Sequence, residues 1–198
     1  MNFLAHDYLS FSQPGILTGN MISDFVKGRK KFDFPPMVQK GIALHRAIDE
    51  FTDFHPVTQN AKAFFKKDYR LYSGAFVDVV YDHFLANDKN EFATEAVLNS
   101  FCQTTYTSLQ IDSAELPPKF LQMLPYMQQQ NWLYHYRLAE GIEKSFGGLV
   151  RRAAYMSDSA TAFKIFNDHY NELGECYQLF FPELKNFASY HLSQLNNS

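Results

Sequence analysis

Apolar residues recur along this chain at intervals of three and four positions, which is the spacing of one face of an α-helix. The two-residue alternation of a half-buried strand is rare, and β-compatible stretches such as AFVDVVYDHF carry aspartates at helical spacing. Proline and glycine fall at the expected helix ends. The pattern predicts helices at about 2–10, 20–26, 35–54, 57–69, 74–86, 91–109, 118–134, 137–154 and 160–180, and one more after Pro182. We therefore predict an all-α fold, a helical bundle.

No internal repeat, low-complexity linker or change in composition divides the sequence. We therefore predict a single domain over residues 1–198, a length that can bury a sizeable core without disulfides. The segment KGRKKFDFPP is predicted to be a basic loop. Residues 110–118 are predicted to form a loop, which is where an N-terminal half could be separated from a C-terminal half.

The composition is that of a soluble globular protein, with 46% hydrophobic and 20% charged residues. The 20 Phe and 12 Tyr residues predict a core rich in aromatic rings. A formal net charge of −3 gives no overall attraction to nucleic acid or to an anionic membrane, so we expect neither partner. No apolar run approaches the roughly 20 residues of a membrane-spanning helix.

Cys102 and Cys176 lack the spacing of a metal site or of a disulfide framework, so we predict free thiols in a reducing environment. The first eleven residues show no basic region before an apolar stretch, so no secretory signal is expected. The predicted location is therefore the cytoplasm.

The stretch GIALHRAIDEFTDFH combines two histidines, an arginine and three acids with Ile, Ala, Leu and Phe. On a helix, His45, Asp49 and Thr52 share a face that also carries Val38 and Ile42. Burying polar groups without partners costs several kcal/mol, so these residues need hydrogen-bond partners or a metal ion. The spacing alone leaves two interpretations open, a His–Asp hydrogen bond with a solvated edge or part of a buried polar site.

A second cluster, DVVYDHFLAND, places Asp78 and Asp82 one helical turn apart, with His83 next to Asp82. Two carboxylates on one face repel each other unless a cation or an arginine neutralises them. Imidazole together with carboxylate suits Mn²⁺, Fe²⁺ or Zn²⁺. The alternative is that Asp78 pairs with an arginine and that His83 is a core histidine with ordinary hydrogen bonds.

Single polar residues also occur in apolar surroundings nearer the N-terminus, His6 in NFLAHDYLS and Asp24 in GNMISDFVKG. Four consecutive predicted helices thus each offer a histidine or an aspartate amid apolar residues. Helical bundles build metal sites from inward-facing side chains on several helices. The recurrence therefore favours a shared metal site.

Other candidates carry a weaker signal. Arg46 adjoins the first cluster and could bind a phosphate. The basic residues of KGRKK follow directly after Asp24 and Val26, and composition alone favours a solvated loop for them. The sequence has no Gly-rich phosphate loop, no serine or cysteine nucleophile signature and no zinc-finger spacing.

Four blocks of the first 90 residues are similar to those of a known family: MNFLAH, GNMISDFVKG, FPPMVQKGIALHRAIDEFTD and DVVYDHFL. The sequence resembles the bacterial acyl carrier protein phosphodiesterases, also called acyl carrier protein hydrolases. Looser similarity continues through QQNWLYHYRLAEGIE and FNDHYNELGECYQLFFPEL, so the resemblance spans nearly the whole chain in the same order.

The resemblance implies a divergent, all-helical relative of the HD-domain metal phosphohydrolases. Members of the family remove the 4′-phosphopantetheine arm from holo-acyl carrier protein with Mn²⁺, for which Fe²⁺ and Mg²⁺ are the alternatives. The metal-site residues that the matching motifs imply are His6, Asp24, His45, Asp49, Asp82 and His83. One octahedral ion with open positions cannot bind all six, and the order Asp82-His83 reverses that of a His-Asp pair.

The resemblance also implies how the reaction would run. Arg46 would stabilise charge on the phosphoryl oxygens, with Asp53 in a supporting role. Asp49 or Asp78 would orient the attacking water, and a histidine such as His83 or His45 would protonate the leaving serine oxygen.

Because acyl carrier protein is acidic, Lys27, Arg29 and Lys30 are the expected docking residues. Two other functions stay open. One is an HD-like phosphohydrolase that acts on a nucleotide or another small phosphodiester, and the other is a helical binding protein without catalytic activity.

Overall fold

The computed structural model describes residues 1–112, 114, 116–153, 155–156 and 158–197. All regular secondary structure in that part of the chain is helical, which confirms the all-α prediction. The α-helices are α1 (Phe3–Tyr8), α2 (Pro14–Ile22), α3 (Pro36–Phe54), α4 (Pro56–Tyr69), α5 (Ser73–Asn87), α6 (Glu95–Ile111), α7 (Pro118–Gln129), α8 (Trp132–His135), α9 (Ala139–Arg152), α10 (Ala160–Asp168) and α11 (Tyr170–Asn196). Short 3₁₀ segments cover Ser23–Phe25, Gly28–Asp33 and Arg70–Tyr72.

Proline begins several of these helices, because its fixed φ suits the first turn and its missing N–H is not needed there. Pro14, Pro36, Pro56 and Pro118 occupy the first turns of α2, α3, α4 and α7. The prediction that the second helix starts near Asn20 was wrong for this reason, since Pro14 opens α2 instead of ending the preceding segment.

The sequence predicts a break at Pro182, but α11 continues through it. A proline inside a helix removes one main-chain hydrogen bond and costs about 3 kcal/mol. Burial contributes roughly 1.5–3 kcal/mol for each large apolar side chain, which outweighs that cost over so long a face. The buried apolar side chains of α11 are Leu173, Tyr177, Phe180, Phe181, Leu184, Ala188 and Leu192. The break lies instead at His169, between α10 and α11.

Two further segments differ from the sequence prediction. The helix predicted at 118–134 is divided, because Asn131 has a φ of 44° and separates α7 from α8. Asparagine is one of the few residues that adopt this left-handed conformation. The predicted basic loop forms a 3₁₀ helix, Gly28–Asp33.

The backbones of α2 and α3 lie in direct contact. A Cβ atom on Gly19 would lie 2.1 Å from the carbonyl oxygen of Val38, and one on Gly41 would lie 2.3 Å from that of Ile16. These two glycines therefore permit the close approach. The helix α2 contacts both α1 and α3, and α1 also packs on α5.

The core is rich in aromatic rings, as the composition predicts. Phe65, Phe76 and Phe146 are fully buried, and their ring centroids are 5.0–6.3 Å apart. Cys102 and Cys176 are free thiols, and the cytoplasmic location stays a prediction. Within the described ranges, no helix combines the length and apolarity needed to cross a membrane.

Candidate metal centre

Three side chains from α1 and α3 converge into one cluster, His6, His45 and Asp49. One ligand atom from each lies within 4.8 Å of the other two. Nε2 of His6 is 3.2 Å from Oδ1 of Asp49, and Nε2 of His45 is 3.1 Å from Oδ2 of Asp49. Both histidines are buried, and Asp49 is partly exposed. The whole cluster comes from the first 49 residues of the chain.

The two imidazole rings stack with their centroids 3.8 Å apart and an interplanar angle of 14°. Nδ1 of His6 lies 2.8 Å from the side-chain oxygen of Asn20, and Nδ1 of His45 lies 2.7 Å from the main-chain oxygen of Asn20. Because these oxygens only accept, each Nδ1 carries a proton and donates it. In the neutral rings, Nε2 therefore bears a lone pair that faces Asp49.

This arrangement fits a divalent cation. Nε2 of His6 is buried and makes no hydrogen bond, although it lies 3.2 Å from the Asp49 carboxylate. Nitrogen lone pairs that face carboxylate oxygens repel them unless a proton or a cation lies between. Two imidazoles and a carboxylate are a donor set that Mn²⁺, Fe²⁺ and Zn²⁺ accept.

The pKa values within the cluster are shifted in opposite directions. Burial and the neighbouring His45 lower the pKa of His6 to about 4. Burial also lowers the pKa of His45, but the hydrogen bonds and charges of Asp24 and Asp49 outweigh it and raise that pKa to about 9. Burial opposes ionisation of Asp49, yet the Met1 amine and both histidines hold its pKa well below the usual range. At neutral pH the cluster thus holds a proton on His45, which a bound cation would displace.

The amino group of Met1 lies beside the cluster. Its nitrogen is buried, 3.0 Å from Oδ1 of Asp78 and 3.5 Å from Oδ1 of Asp49. Burial lowers the pKa of this amine, but Asp78 and Asp49 outweigh burial and raise the pKa to about 10, so the amine is charged. The sequence suggests an arginine or a metal ion as the partner of Asp78, and in the structure the amine occupies that position.

Asp82 is bound to main-chain N–H groups. Its carboxylate accepts hydrogen bonds from the N–H groups of Asn2, Leu4 and Ala5 at 3.2, 2.7 and 3.3 Å. The first N–H groups of a helix have no partner within the helix, so Asp82 caps α1 from α5. The helical spacing of Asp78 and Asp82 predicts a shared face, but it does not tell what lies opposite.

His83 also has its partners outside the cluster. Its Nδ1 lies 2.7 Å from the main-chain oxygen of Tyr136, and its Nε2 lies 3.0 Å from the hydroxyl of Tyr170. Burial lowers the pKa of this histidine. Asp82 and His83 are thus not part of the cluster of His6, His45 and Asp49, and their metal and catalytic roles stay predictions.

Asp24 lies at the exposed edge of the cluster. Its Oδ1 is 3.3 Å from Nε2 of His45, and its side chain is 74% exposed. The hydrogen bond from His45 lowers the pKa of Asp24, so this carboxylate is ionised. Arg46 is exposed as well, and it donates a hydrogen bond to the main-chain oxygen of Val26 at 3.0 Å.

The predicted docking residues Lys27, Arg29 and Lys30 are all exposed, in and next to the 3₁₀ segment that follows Asp24. Asp53 is not part of the cluster, and it pairs with Lys62 at 2.7 Å on the surface. An apolar cavity of about 570 Å³ lies elsewhere on α3, lined by residues that include none of the cluster. Cavity size therefore does not mark the metal centre.

Asn20, which contacts both histidines, is missing from the sequence prediction. The sequence does carry a signal for it. Asn20 lies between Gly19 and Met21 in a helix whose other residues are small or apolar. Asn20 itself is 0% exposed. Buried amides need hydrogen-bond partners, so such a residue in an apolar helix marks a polar neighbour.

A model of the acyl carrier protein phosphodiesterase family matches residues 1–184. The chain is 30% identical over 190 residues to proteins named acyl carrier protein phosphodiesterase in Yersinia pestis and Shigella boydii serotype 4, covering 96% of this chain and 98% of each relative. A protein of that name in Salmonella agona is 29% identical over 184 residues, covering 93% of this chain and 95% of the relative. No solved structure matches the chain, so the HD-like architecture stays a prediction.

Proposed function

This chain belongs to the acyl carrier protein phosphodiesterase family, and on that premise we propose that it hydrolyses holo-acyl carrier protein. The bond cleaved is the phosphodiester between a serine and 4′-phosphopantetheine, and the products are apo-acyl carrier protein and 4′-phosphopantetheine. The family match across residues 1–184 is the observation that carries this proposal. The cluster of His6, His45 and Asp49 supports hydrolysis with a metal ion.

We assign His6, His45 and Asp49 as the residues that hold the cation, with Mn²⁺ favoured and Fe²⁺ or Mg²⁺ as alternatives. A bound divalent cation would polarise the phosphodiester and acidify a water molecule. Both histidines would bind through Nε2, because their Nδ1 atoms donate to Asn20.

Two exposed residues beside the cluster are placed to act on the substrate. Asp24 is ionised and lies next to His45, so we assign its carboxylate as the group that accepts the proton of the attacking water. Arg46 uses one N–H group on Val26, and its guanidinium has further donors for the phosphoryl oxygens.

The carrier protein would dock on the basic 3₁₀ segment. Lys27, Arg29 and Lys30 are exposed, and they follow Asp24 within a few residues along the chain. A net charge of −3 gives this protein no overall attraction to an acidic partner, so the attraction must be local.

Mass spectrometry of holo-acyl carrier protein after incubation with this protein and Mn²⁺ tests the proposal. We expect the carrier to lose the phosphopantetheine mass. Asp49→Asn should abolish both Mn²⁺ binding and turnover. Asp24→Asn should keep Mn²⁺ binding and slow turnover by about 10²–10⁴-fold, the usual contribution of a general base. Asp53→Asn, on the same helix but paired with Lys62 at the surface, is the control and should match the wild type.

Unchanged holo-carrier protein in that experiment would contradict the proposed substrate. Hydrolysis of nucleotides under the same conditions would then favour the small phosphodiester alternative. Loss of Mn²⁺ binding in Asp24→Asn would instead make Asp24 a metal ligand and remove its role as the base.

A further inference from the structure

We propose that Asn20 is a positioning residue that keeps a proton on Nδ1 of both metal-binding histidines and so directs each Nε2 to the cation. This inference deepens the metal centre proposed above and rests on it. Asn20 lies in α2, outside the cluster itself, and is fully buried. It acts on the two rings through different groups, its side-chain amide and its main-chain carbonyl.

The side-chain amide is held in one orientation. Its Nδ2 donates to the main-chain oxygen of His6 at 2.7 Å and to Oγ of Ser10 at 3.1 Å. The carbonyl oxygen of His6 can only accept, so the NH₂ group must face it and the amide cannot be rotated by half a turn. Oδ1 of Asn20 therefore faces Nδ1 of His6, 2.8 Å away, and the proton of that pair must lie on the ring.

The main-chain carbonyl is available because of where α2 ends. The helix stops at Ile22, so the carbonyl groups of its last turn, that of Asn20 among them, can accept from outside the helix. Nδ1 of His45 reaches this oxygen at 2.7 Å. The distance depends on the contact of α2 with α3, which Gly19 and Gly41 permit.

The two hydrogen bonds to Asn20 together set the orientation of both imidazole rings. Because the rings stack at 3.8 Å and are nearly parallel, fixing both Nδ1 atoms on one residue directs both Nε2 atoms to Asp49. Which ring nitrogen carries the proton is set by the hydrogen bond that the other nitrogen makes. A neutral histidine whose single proton lay on Nε2 would donate it to Asp49 and could not bind a metal through that atom.

The structure provides an internal control, since a side-chain substitution removes only one of the two anchors. Asn20→Leu has a similar volume and deletes the amide, but it keeps the main-chain carbonyl. We expect His6 in this variant to shift its proton to Nε2, where the Asp49 carboxylate can accept it. His45 should keep a proton on Nδ1.

The ¹⁵N NMR spectrum of the imidazole rings in the metal-free protein tests this, because it shows which ring nitrogens carry protons. In the wild type we expect a proton on Nδ1 of His6, and in Asn20→Leu a proton on Nε2 of His6 alone. If Asn20 had only a structural role, Asn20→Leu would change stability but would not move the proton of His6 selectively. The wild-type spectrum tests the inference even if Asn20→Leu does not fold.

Mn²⁺ binding, measured by the electron paramagnetic resonance of free Mn²⁺, is the second readout. Loss of an outer hydrogen-bond partner of a ligand weakens metal binding by about 10–100-fold, which we expect for Asn20→Leu. Thr18→Val is the matched control. It lies on the same helix and loses partly buried hydrogen bonds to Pro14 and Asp112. These bonds do not involve either histidine, so its Mn²⁺ affinity should equal that of the wild type.

A bare Nδ1 on His6 in the wild type would overturn the inference. So would an Asn20→Leu protein with wild-type Mn²⁺ affinity and an unmoved proton. If the wild type itself bound no Mn²⁺, the proposed metal centre would fail, and that result is separate from the position of the His6 proton.

Discussion

At the scale of single residues, aspartates with similar sequence surroundings have different partners. Asp49 faces two histidines, Asp78 binds the Met1 amine, and Asp82 accepts three main-chain N–H groups. A fourth, Asp7, is buried and accepts a hydrogen bond from the hydroxyl of Thr105. The spacing of these residues gives the face of the helix but not the group on the opposing element.

Asp7 should make stability depend on pH. Burial raises its pKa from the ordinary 3.8 to about 8, against the hydrogen bond from Thr105. Between about pH 4 and pH 8 the folded chain therefore keeps a proton that the unfolded chain has lost. The free energy of unfolding should fall as pH rises through this window, by about 1.4 kcal/mol per pH unit from this group. Asp7→Asn keeps a neutral side chain and should remove that slope.

Urea unfolding of the wild type and Asp7→Asn at several pH values from 5 to 8 measures the effect. The stability difference between the two proteins should move in favour of Asp7→Asn as pH rises. The exposed substitution Asp53→Asn controls for removing a carboxylate. If the free energy of unfolding changed with pH equally in the wild type and in Asp7→Asn, Asp7 would not hold a proton in the folded chain.

At the scale of elements, local signals predict helix existence better than helix ends. The apolar spacing of three and four residues predicts α3, α4 and α5 with boundaries close to those observed. Pro14 and Pro182 were both predicted to end or interrupt a helix. Pro14 instead opens α2, and Pro182 lies within α11. Which of these occurs depends on how much apolar surface the continuing helix buries, and that is a property of the packed core.

The crossing of α2 and α3 depends on two residues without side chains. Gly41→Ala would place a Cβ 2.3 Å from the carbonyl oxygen of Ile16, so the helices must separate. We expect a loss of about 1–3 kcal/mol in the free energy of unfolding, the usual cost of overpacking. We also expect weaker Mn²⁺ binding, because His45 moves away from the Asn20 carbonyl.

Gly147→Ala is the matched control for this substitution. Its Cβ would meet only ordinary contacts, with the nearest atom 3.8 Å away, in the interior of α9. Alanine is favoured over glycine in a helix by about 0.5–1 kcal/mol, so this variant should be slightly more stable than the wild type. Thermal unfolding of both variants measures the contrast, and equal stability of the two would contradict the tight crossing.

At the scale of the whole molecule, the sequence predicts part of the site. The recurrence of His6, His45 and Asp49 amid apolar residues indicates a shared polar centre, and the structure brings these three together. Asp82 and His83 have the same residue types and similar surroundings, yet they face the start of α1 and two tyrosines. Long-range packing decides between these outcomes, and the spacing along one helix carries no information about it.

The charge distribution over the molecule predicts a salt-dependent substrate affinity. Reversing Arg29 and Lys30 to glutamate should raise the KM for holo-acyl carrier protein by about ten-fold at low salt, because local attraction steers the acidic partner. The difference should shrink as salt rises, since 1 M salt screens charges beyond about 3 Å. Steady-state kinetics at two salt concentrations measures it.

The equivalent reversal of Lys66 and Lys67 on α4 removes the same charge from another exposed surface. That variant should keep the wild-type KM at either salt concentration. If both double variants raised KM equally, net charge and not a defined docking surface would govern binding.

The three cluster residues and Asn20 all lie between positions 6 and 49, and α5 adds Asp82, which caps α1, and Asp78, which pairs with the Met1 amine. The proposed metal centre is thus encoded in the first quarter of the sequence. The proposed docking residues Lys27, Arg29 and Lys30 lie in the same quarter, so the proposed reaction and the recognition of its substrate are encoded together. A fold organised in this way offers a protein engineer one short segment in which changes act on hydrolysis and on specificity at once.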